Sequence, residues 1–403
     1  MHIIRQRLSQ NTLALLLSNG GSAVLSFMLS VMIGRVLGQD GLGIYATVLA
    51  WIFPLSLITE FGLGTLITRD IALKPEDSHA YLRASILARL VIGGVITLII
   101  YSTAPLISQD IHIVRGLQIA SPLIIILPFY SSFTAIFRAK QIMQPITWLN
   151  LGMLISQVSL TGLAFWYGED IESVLIINTL TSFVQLFAAW LVYRRWFYEP
   201  SQQIIPLQTL LVAATPFAIA AVLAAIQSRI AIILLEQFTS TSDVGLYTAA
   251  ARFIEAGRML PHAFFDALFP VLASLATIPH ELKRMFQRVL VGLTTFGIAF
   301  AVVISWISLP LLTLTYGQDF ISARSMLIIL AWSLLPMLLK GGRTLYWYAV
   351  GETMYVNLVT VGVIIIQVIA AIWLIPSYGA MGAAWVMVIA ETSAVILLFA
   401  RRH

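Results

Sequence analysis

Twelve runs of roughly twenty apolar residues follow one another along the chain, at 12–33, 43–68, 84–104, 116–137, 146–166, 173–193, 209–235, 244–274, 288–309, 323–342, 354–375 and 380–400. A helix of about 20 residues crosses the hydrocarbon core of a bilayer. The runs are continuously apolar and do not alternate, which excludes a β-barrel. Charge is scarce: 59% of the residues are hydrophobic and only 10% are charged, against about 25% charged in an average soluble protein. A water-soluble fold of this length could not cover its surface with so few charges. A soluble enzyme, a nucleic-acid-binding domain and a disordered protein are excluded. The expectation is an all-α polytopic membrane protein with twelve transmembrane helices.

The position of the basic residues predicts orientation. With both termini cytoplasmic, sixteen of the 23 Lys and Arg residues fall in inside segments, and only Arg35, Arg115 and Arg324 fall in outside loops. Arg89, Arg229, Arg252 and Arg258 lie within spans. This bias is the one that sets topology in inner membranes. The net charge of +5 is therefore a loop property and no sign of nucleic acid. The start, MHIIRQRLSQ, is basic, and the apolar run behind it has no small-residue cleavage site, so it reads as a first span and not a removed signal peptide. With no cysteine in the chain, disulfides, thiolate metal sites and cysteine nucleophiles are excluded.

The chain repeats at half its length. Gly43-Ile44-Tyr45-Ala46 at span 2 matches Gly245-Leu246-Tyr247-Thr248 at span 8, and Trp148-Leu149-Asn150-Leu151 at span 5 matches Tyr355-Val356-Asn357-Leu358 at span 11. Both matches place span n on span n + 6. The expectation is two six-helix bundles related by a parallel pseudo-twofold repeat: a lobe over 1–195, a cytoplasmic linker over 196–208 with Pro200 and Pro206, and a lobe over 209–403.

These motifs resemble the polysaccharide-type flippases of the multidrug/oligosaccharidyl-lipid/polysaccharide exporter superfamily. The resemblance runs through Gly34-Arg35-Val36-Leu37-Gly38 and Gly43-Ile44-Tyr45, then Glu60-Phe61-Gly62-Leu63 and Arg69-Asp70-Ile71-Ala72. It continues at Gly245 to Ala250 with Pro261 and Pro270, at Tyr316-Gly317-Gln318-Asp319-Phe320, and from Tyr378 to Trp385. The sequence departs from the family after Arg229-Ile230, where Ala231 stands in place of a frequent acidic residue. The resemblance implies two bundles in a V around a central cavity, rocking between inward- and outward-open states. It implies a polyprenyl-pyrophosphate-linked oligosaccharide as substrate, moved across the inner membrane. Polysaccharide polymerase and glycosyltransferases are the partners that fit this role, beside membrane lipids.

Such a substrate needs cations for its phosphates inside a wet cavity, so ionisable residues within spans are the candidates. On an ideal helix Arg252, Glu255, Arg258, His262 and Asp266 share one arc of about 120°. One reading has Arg252 and Arg258 attract the pyrophosphate while Glu255 holds them; the other is an i,i+3 ion network that only joins helices. Arg229 is a further candidate for the substrate cavity, though its position near a span end also suits snorkelling. Arg89 is expected to snorkel. Glu60 and Glu391, with Asp266 and His262, are candidates for ion coupling or a gate, with H+ or Na+ as the ion. Ser18, Ser22, Ser26, Ser30 and Gly34, at steps of four, predict a packing seam. The segment Glu281–Leu290 is basic and amphipathic and is expected to lie along the inner leaflet.

No phosphate-binding Gly-rich loop, metal-ligand spacing or Ser/His/Asp set is legible, so neither an enzyme nor a cofactor is expected. Two alternatives remain open: a cation or drug antiporter of the same superfamily, which wants an acidic cavity, and a flippase for a lipid-linked peptidoglycan precursor. A non-transporting scaffold has no use for five ionisable groups on one intramembrane face.

Overall fold

The computed structural model describes the backbone of residues 2–74, 77–200, 205–275 and 278–401, and the side chains of these except 2–16, 260, 262, 263, 266, 267, 270 and 279. Its elements in order are α1 (His2–Glu60), α2 (Leu63–Leu73), α3 (Ser78–Ile107), α4 (Ile111–Ala120), α5 (Leu123–Ala139), α6 (Gln144–Trp166) and α7 (Ile171–Trp196). Then come α8 (Leu207–Phe238), α9 (Thr241–Gly257), α10 (Met259–Leu275), α11 (Pro279–Thr315), a 3₁₀ turn (Gln318–Ala323), α12 (Arg324–Ala349) and α13 (Thr353–Ala400). Among the described residues nine helical stretches are long and apolar enough to cross a membrane.

The nine stretches and the twelve apolar runs differ because helices continue through bends. The 57-residue stretch Leu17–Leu73 carries the first two runs, and the 48-residue Thr353–Ala400 carries the last two. Each turns at one glycine, Gly38 (φ 69, ψ −163) and Gly379 (φ 55, ψ −135), in conformations that a Cβ disfavours. The expected open loop at 34–42 is therefore a bend in a helix. The eighth run, conversely, is split. Pro261 has no N–H for the Gly257 carbonyl four residues back, and α9 ends at Gly257 while α10 starts at Met259. Pro122 divides the fourth run in the same way, and Ser121 Oγ donates to the orphaned Gln118 carbonyl at 2.9 Å.

By contact the chain forms one unit of Met1–Met32 with Thr47–Ala225 and another of Ile33–Ala46 with Ile226–His403. The core of the first joins Leu66 and Ile67 of α2, Leu82 of α3, Phe133 and Phe137 of α5, Tyr193 of α7 and Ala214 of α8. Its polar seam runs from Tyr130 Oη, which donates to Asn150 Oδ1 at 2.7 Å, to Asn150 Nδ2, which donates to Ser18 Oγ at 3.3 Å. The Ser18 end of the expected small-residue stripe thus packs as predicted. In the second unit Trp347 of α12 lies against Val356, Ala390 and Leu398 of α13, and its Nε1 donates to the Leu398 carbonyl at 3.1 Å. Gly34 packs there too, since a Cβ on it would meet the rings of Tyr316 and Phe320.

Three expectations about charge placement are corrected. Arg89 does not snorkel: it is fully buried, and its guanidinium reaches Glu60 and Ser132 inside the first unit. Lys340 and Arg343, counted among the sixteen basic residues of the inside segments, lie within α12, where Lys340 meets the buried Glu391. The segment Glu281–Leu290 is the first part of α11 and continuous with the span after it, so it lengthens that helix and is not a separate surface helix.

Candidate functional site

The site is built outward from a close crossing in the second unit. Ser240 caps α9, its Oγ accepting from the Asp243 N–H at 3.2 Å. Thr241 Oγ1 donates to Asp40 Oδ1 at 2.7 Å, and Ser242 Oγ donates to Gln39 Oε1. Behind these contacts Gly43 and Gly245 let the backbones touch: a Cβ on Gly43 would strike the Thr241 carbonyl, and one on Gly245 the Gln39 carbonyl. The two Gly-x-Tyr segments matched as a repeat therefore meet, and Tyr45 and Tyr247 are both buried beside the crossing.

Two turns along α9, about 10 Å further on, the chain becomes polar. Arg252 Nη1 donates to Glu255 Oε2 at 2.9 Å. The carboxylate side chain is 44% exposed and the guanidinium 20%, so the pair is only partly enclosed by its unit. Arg229 of α8 lies within electrostatic range of both Glu255 and Arg252. Tyr45 and Tyr316 stand within the same range of Arg252. Arg229 therefore lies near this group. Arg258 occupies the break between α9 and α10. Two arginines and one carboxylate give the group an excess of positive charge, suited to an oxyanion, because guanidinium groups fork onto phosphate oxygens.

Of the charged arc expected over 252–266, the described side chains show the Arg252–Glu255 pair on α9, while Arg258 stands between the end of α9 at Gly257 and the start of α10 at Met259. His262 and Asp266 fall in the backbone of α10, and their side chains lie outside the described residues.

The other two candidates each hold a cation of their own unit. Glu60 sits where α1 ends, before Phe61 (φ 52) and Gly62 (φ 66). Its Oε1 accepts from Gly64 N at 2.6 Å, Arg89 Nη2 at 3.3 Å and Ser131 Oγ at 3.3 Å. The carboxylate thus caps α2, a position that the helix dipole favours for an anion, and ties it to α3 and α5. Glu391 of α13 pairs with Lys340 of α12 at 2.9 Å and is buried. Sequence reasoning found the acids but neither partner. A lone Arg or Lys in an apolar helix gives no sign of which neighbouring helix it faces.

The sequence profile described as "Polysaccharide biosynthesis protein" matches residues 8–276. "Stage V sporulation protein B" of Bacillus subtilis (strain 168) is 26% identical over 163 residues, which are 38% of this chain and 31% of that relative. Among solved structures, "Lipid II flippase MurJ, inward closed conformation" is similar with a TM-score of 0.78 at 18% identity, over 97% of this chain and 86% of that one. The "inward-facing conformation of a multidrug resistance MATE family transporter of the MOP superfamily" gives a TM-score of 0.79 at 15% identity, over 94% and 93%. At these identities the likeness is one of fold.

Proposed function

The chain belongs to the polysaccharide biosynthesis protein family, and we propose that it is a flippase carrying a polyprenyl-pyrophosphate-linked oligosaccharide across the inner membrane by alternating access. The observation that carries this reading is the charge census of the site. Arg252 pairs with Glu255 and has Arg229 within electrostatic range, while Glu60 and Glu391 are each matched by a cation elsewhere. A count of intramembrane charges from sequence is even-handed between the signs. With those pairs set aside, the described cluster holds Arg229 and Arg252 to the one carboxylate of Glu255, which suits a pyrophosphate and disfavours a cationic drug.

In this reading the twelve spans form two six-helix lobes over 1–195 and 209–403, joined by a linker over 196–208, with both termini cytoplasmic. Arg252, Arg258 and Arg229 hold the pyrophosphate, Glu255 orients Arg252, and the lipid tail stays in the bilayer. The Gly43–Gly245 crossing is one closed gate, sealed by backbone contact and the Thr241–Asp40 bond. Coupling to H+ or Na+ is assigned to Glu60 and Glu391, where a proton or sodium ion can take the place of Arg89 or Lys340, with Asp266 and His262 as further groups. No catalytic step is required. A lipid-linked peptidoglycan precursor presents the same pyrophosphate, and the solved lipid II flippase of similar fold supports it as the second reading.

The test is flipping in proteoliposomes. A fluorescent undecaprenyl-pyrophosphoryl oligosaccharide and a fluorescent lipid-linked peptidoglycan precursor are reconstituted separately with the protein. Dithionite then reports the fraction in each leaflet. Protein-dependent exchange of the first and not the second supports the proposal, and exchange of neither removes it.

A further inference from the structure

The first unit holds a cavity that this function does not use. It has a volume of about 390 Å³ and lies among α3, α5 and α7. His79 and Arg83 enter it from the first turns of α3, and Trp190, Tyr193 and Arg194 from the last turns of α7. No carboxylate lines it. Arg83 and Arg194 make no ion pair among the described residues, whereas three other basic residues near helix ends do: Lys140 with Glu199 at 2.6 Å, Arg69 with Asp70 at 2.8 Å and Arg401 with Glu352 at 3.0 Å. The Lys140 pair also keeps Glu199, the carboxylate nearest in sequence to Arg194, engaged away from it.

The pocket is ordered as well as charged. The Arg194 guanidinium stacks 5.4 Å from the Trp190 ring centroid. A guanidinium covered on its face keeps its in-plane N–H donors free for a phosphate. His79 Nδ1 meets Tyr193 Oη at 3.3 Å, and its ring stands edge-on to Tyr198 at 5.0 Å. Both arginines also head exposed apolar stripes at helical spacing. Arg83 is followed along α3 by Leu87, Leu90 and Val91, and Arg194 is preceded along α7 by Leu191, Phe187 and Phe183, all exposed. A cationic, aromatic-rimmed cavity at the head of two lipophilic faces has the pattern of an amphiphile: phosphate in the pocket, acyl chains down the stripes. Basic pockets between spans hold anionic headgroups by this chemistry.

We propose that the cavity between α3 and α7 binds the phosphate of an anionic phospholipid through Arg83, Arg194 and His79, as a site of its own beside the transport cluster. The shared apolar stripes favour a lipid over a free phosphate ion.

The experiment uses the full chain in nanodiscs of phosphatidylglycerol and phosphatidylcholine, with bound lipid read by native mass spectrometry after gentle extraction. The wild type should retain phosphatidylglycerol preferentially. Arg83→Gln with Arg194→Gln should weaken that retention by about thirtyfold, while Arg83→Lys with Arg194→Lys keeps most of it. Ile86→Trp, which fills the cavity without removing a charge, should also lose the retained lipid. If the double Gln variant elutes as an aggregate, the Ile86→Trp variant decides alone. Equal retention of the two lipids, or unchanged retention in Ile86→Trp, overturns the proposal. So does loss of phosphatidylglycerol on adding inorganic phosphate alone, which would assign the pocket to a soluble anion.

Discussion

A Cβ on Gly43 would stand 3.1 Å from the amide nitrogen of Gly245. The two glycines that the repeat makes equivalent are thus the point where their backbones cross. The expected outcome of Gly43→Ala or Gly245→Ala is a loss of about 1–3 kcal/mol from overpacking against carbonyls that cannot rotate aside. Thermal unfolding in detergent checks it. Gly94→Ala, where a Cβ meets nothing within 4 Å, is the control and should leave the midpoint unchanged or raise it. A Gly43→Ala protein as stable as the control would show that the crossing is loose.

Removing Arg89 leaves the Glu60 carboxylate without its cation inside the first unit. Arg89→Ala is expected to destabilise the chain by about 3–5 kcal/mol, and Arg89→Met with Glu60→Gln to recover most of that. Chemical denaturation in micelles measures both. If the double variant is no better than the single one, the pair is not what Arg89 contributes.

At the proposed transport cluster the two members of one ion pair should separate by function. Arg252→Ala is expected to cut lipid-linked oligosaccharide flipping by about ten- to a hundredfold, the range for loss of a charge-assisted bond, with membrane insertion intact. Glu255→Gln keeps all three arginines and should retain most of the flipping. The reverse ranking in the dithionite assay would assign the site to a cation.

Ion coupling predicts that collapsing the proton or sodium gradient across the proteoliposome stops net transport. Undiminished accumulation in the absence of both gradients rules it out. If coupling passes through Glu391, Glu391→Gln should flip substrate at a rate the gradient no longer changes.

Much of the fold was legible because hydropathy and helix length act residue by residue. The apolar runs and the short breaks between them follow from local chemistry, whereas the helix ends before Pro122 and Pro261 fall inside runs that hydropathy reads as continuous. Helix continuity was harder to read. Gly38 and Gly379 each lie in a polar or small-residue stretch that resembles a loop, yet one glycine turns the helix without ending it. The candidate site divides in the same way. Arg252 and Glu255 are one helical turn apart, so their pairing was readable from spacing alone. Arg229, 23 positions before Arg252 in the sequence, comes within electrostatic range of them only through the tertiary fold.

What the sequence determined by itself is the solvent and the element: so few charges on so many apolar runs require a bilayer, and a bilayer requires backbones bonded within helices. It also determined which ionisable residues must find partners, because each lies in an apolar helix. The partners themselves were decided by tertiary structure. Glu60 takes Arg89 and Glu391 takes Lys340 across helices 29 and 51 positions apart. Hydrophobicity is a property of one residue in its segment, whereas an ion pair within a few ångströms depends on how helices distant in sequence are packed.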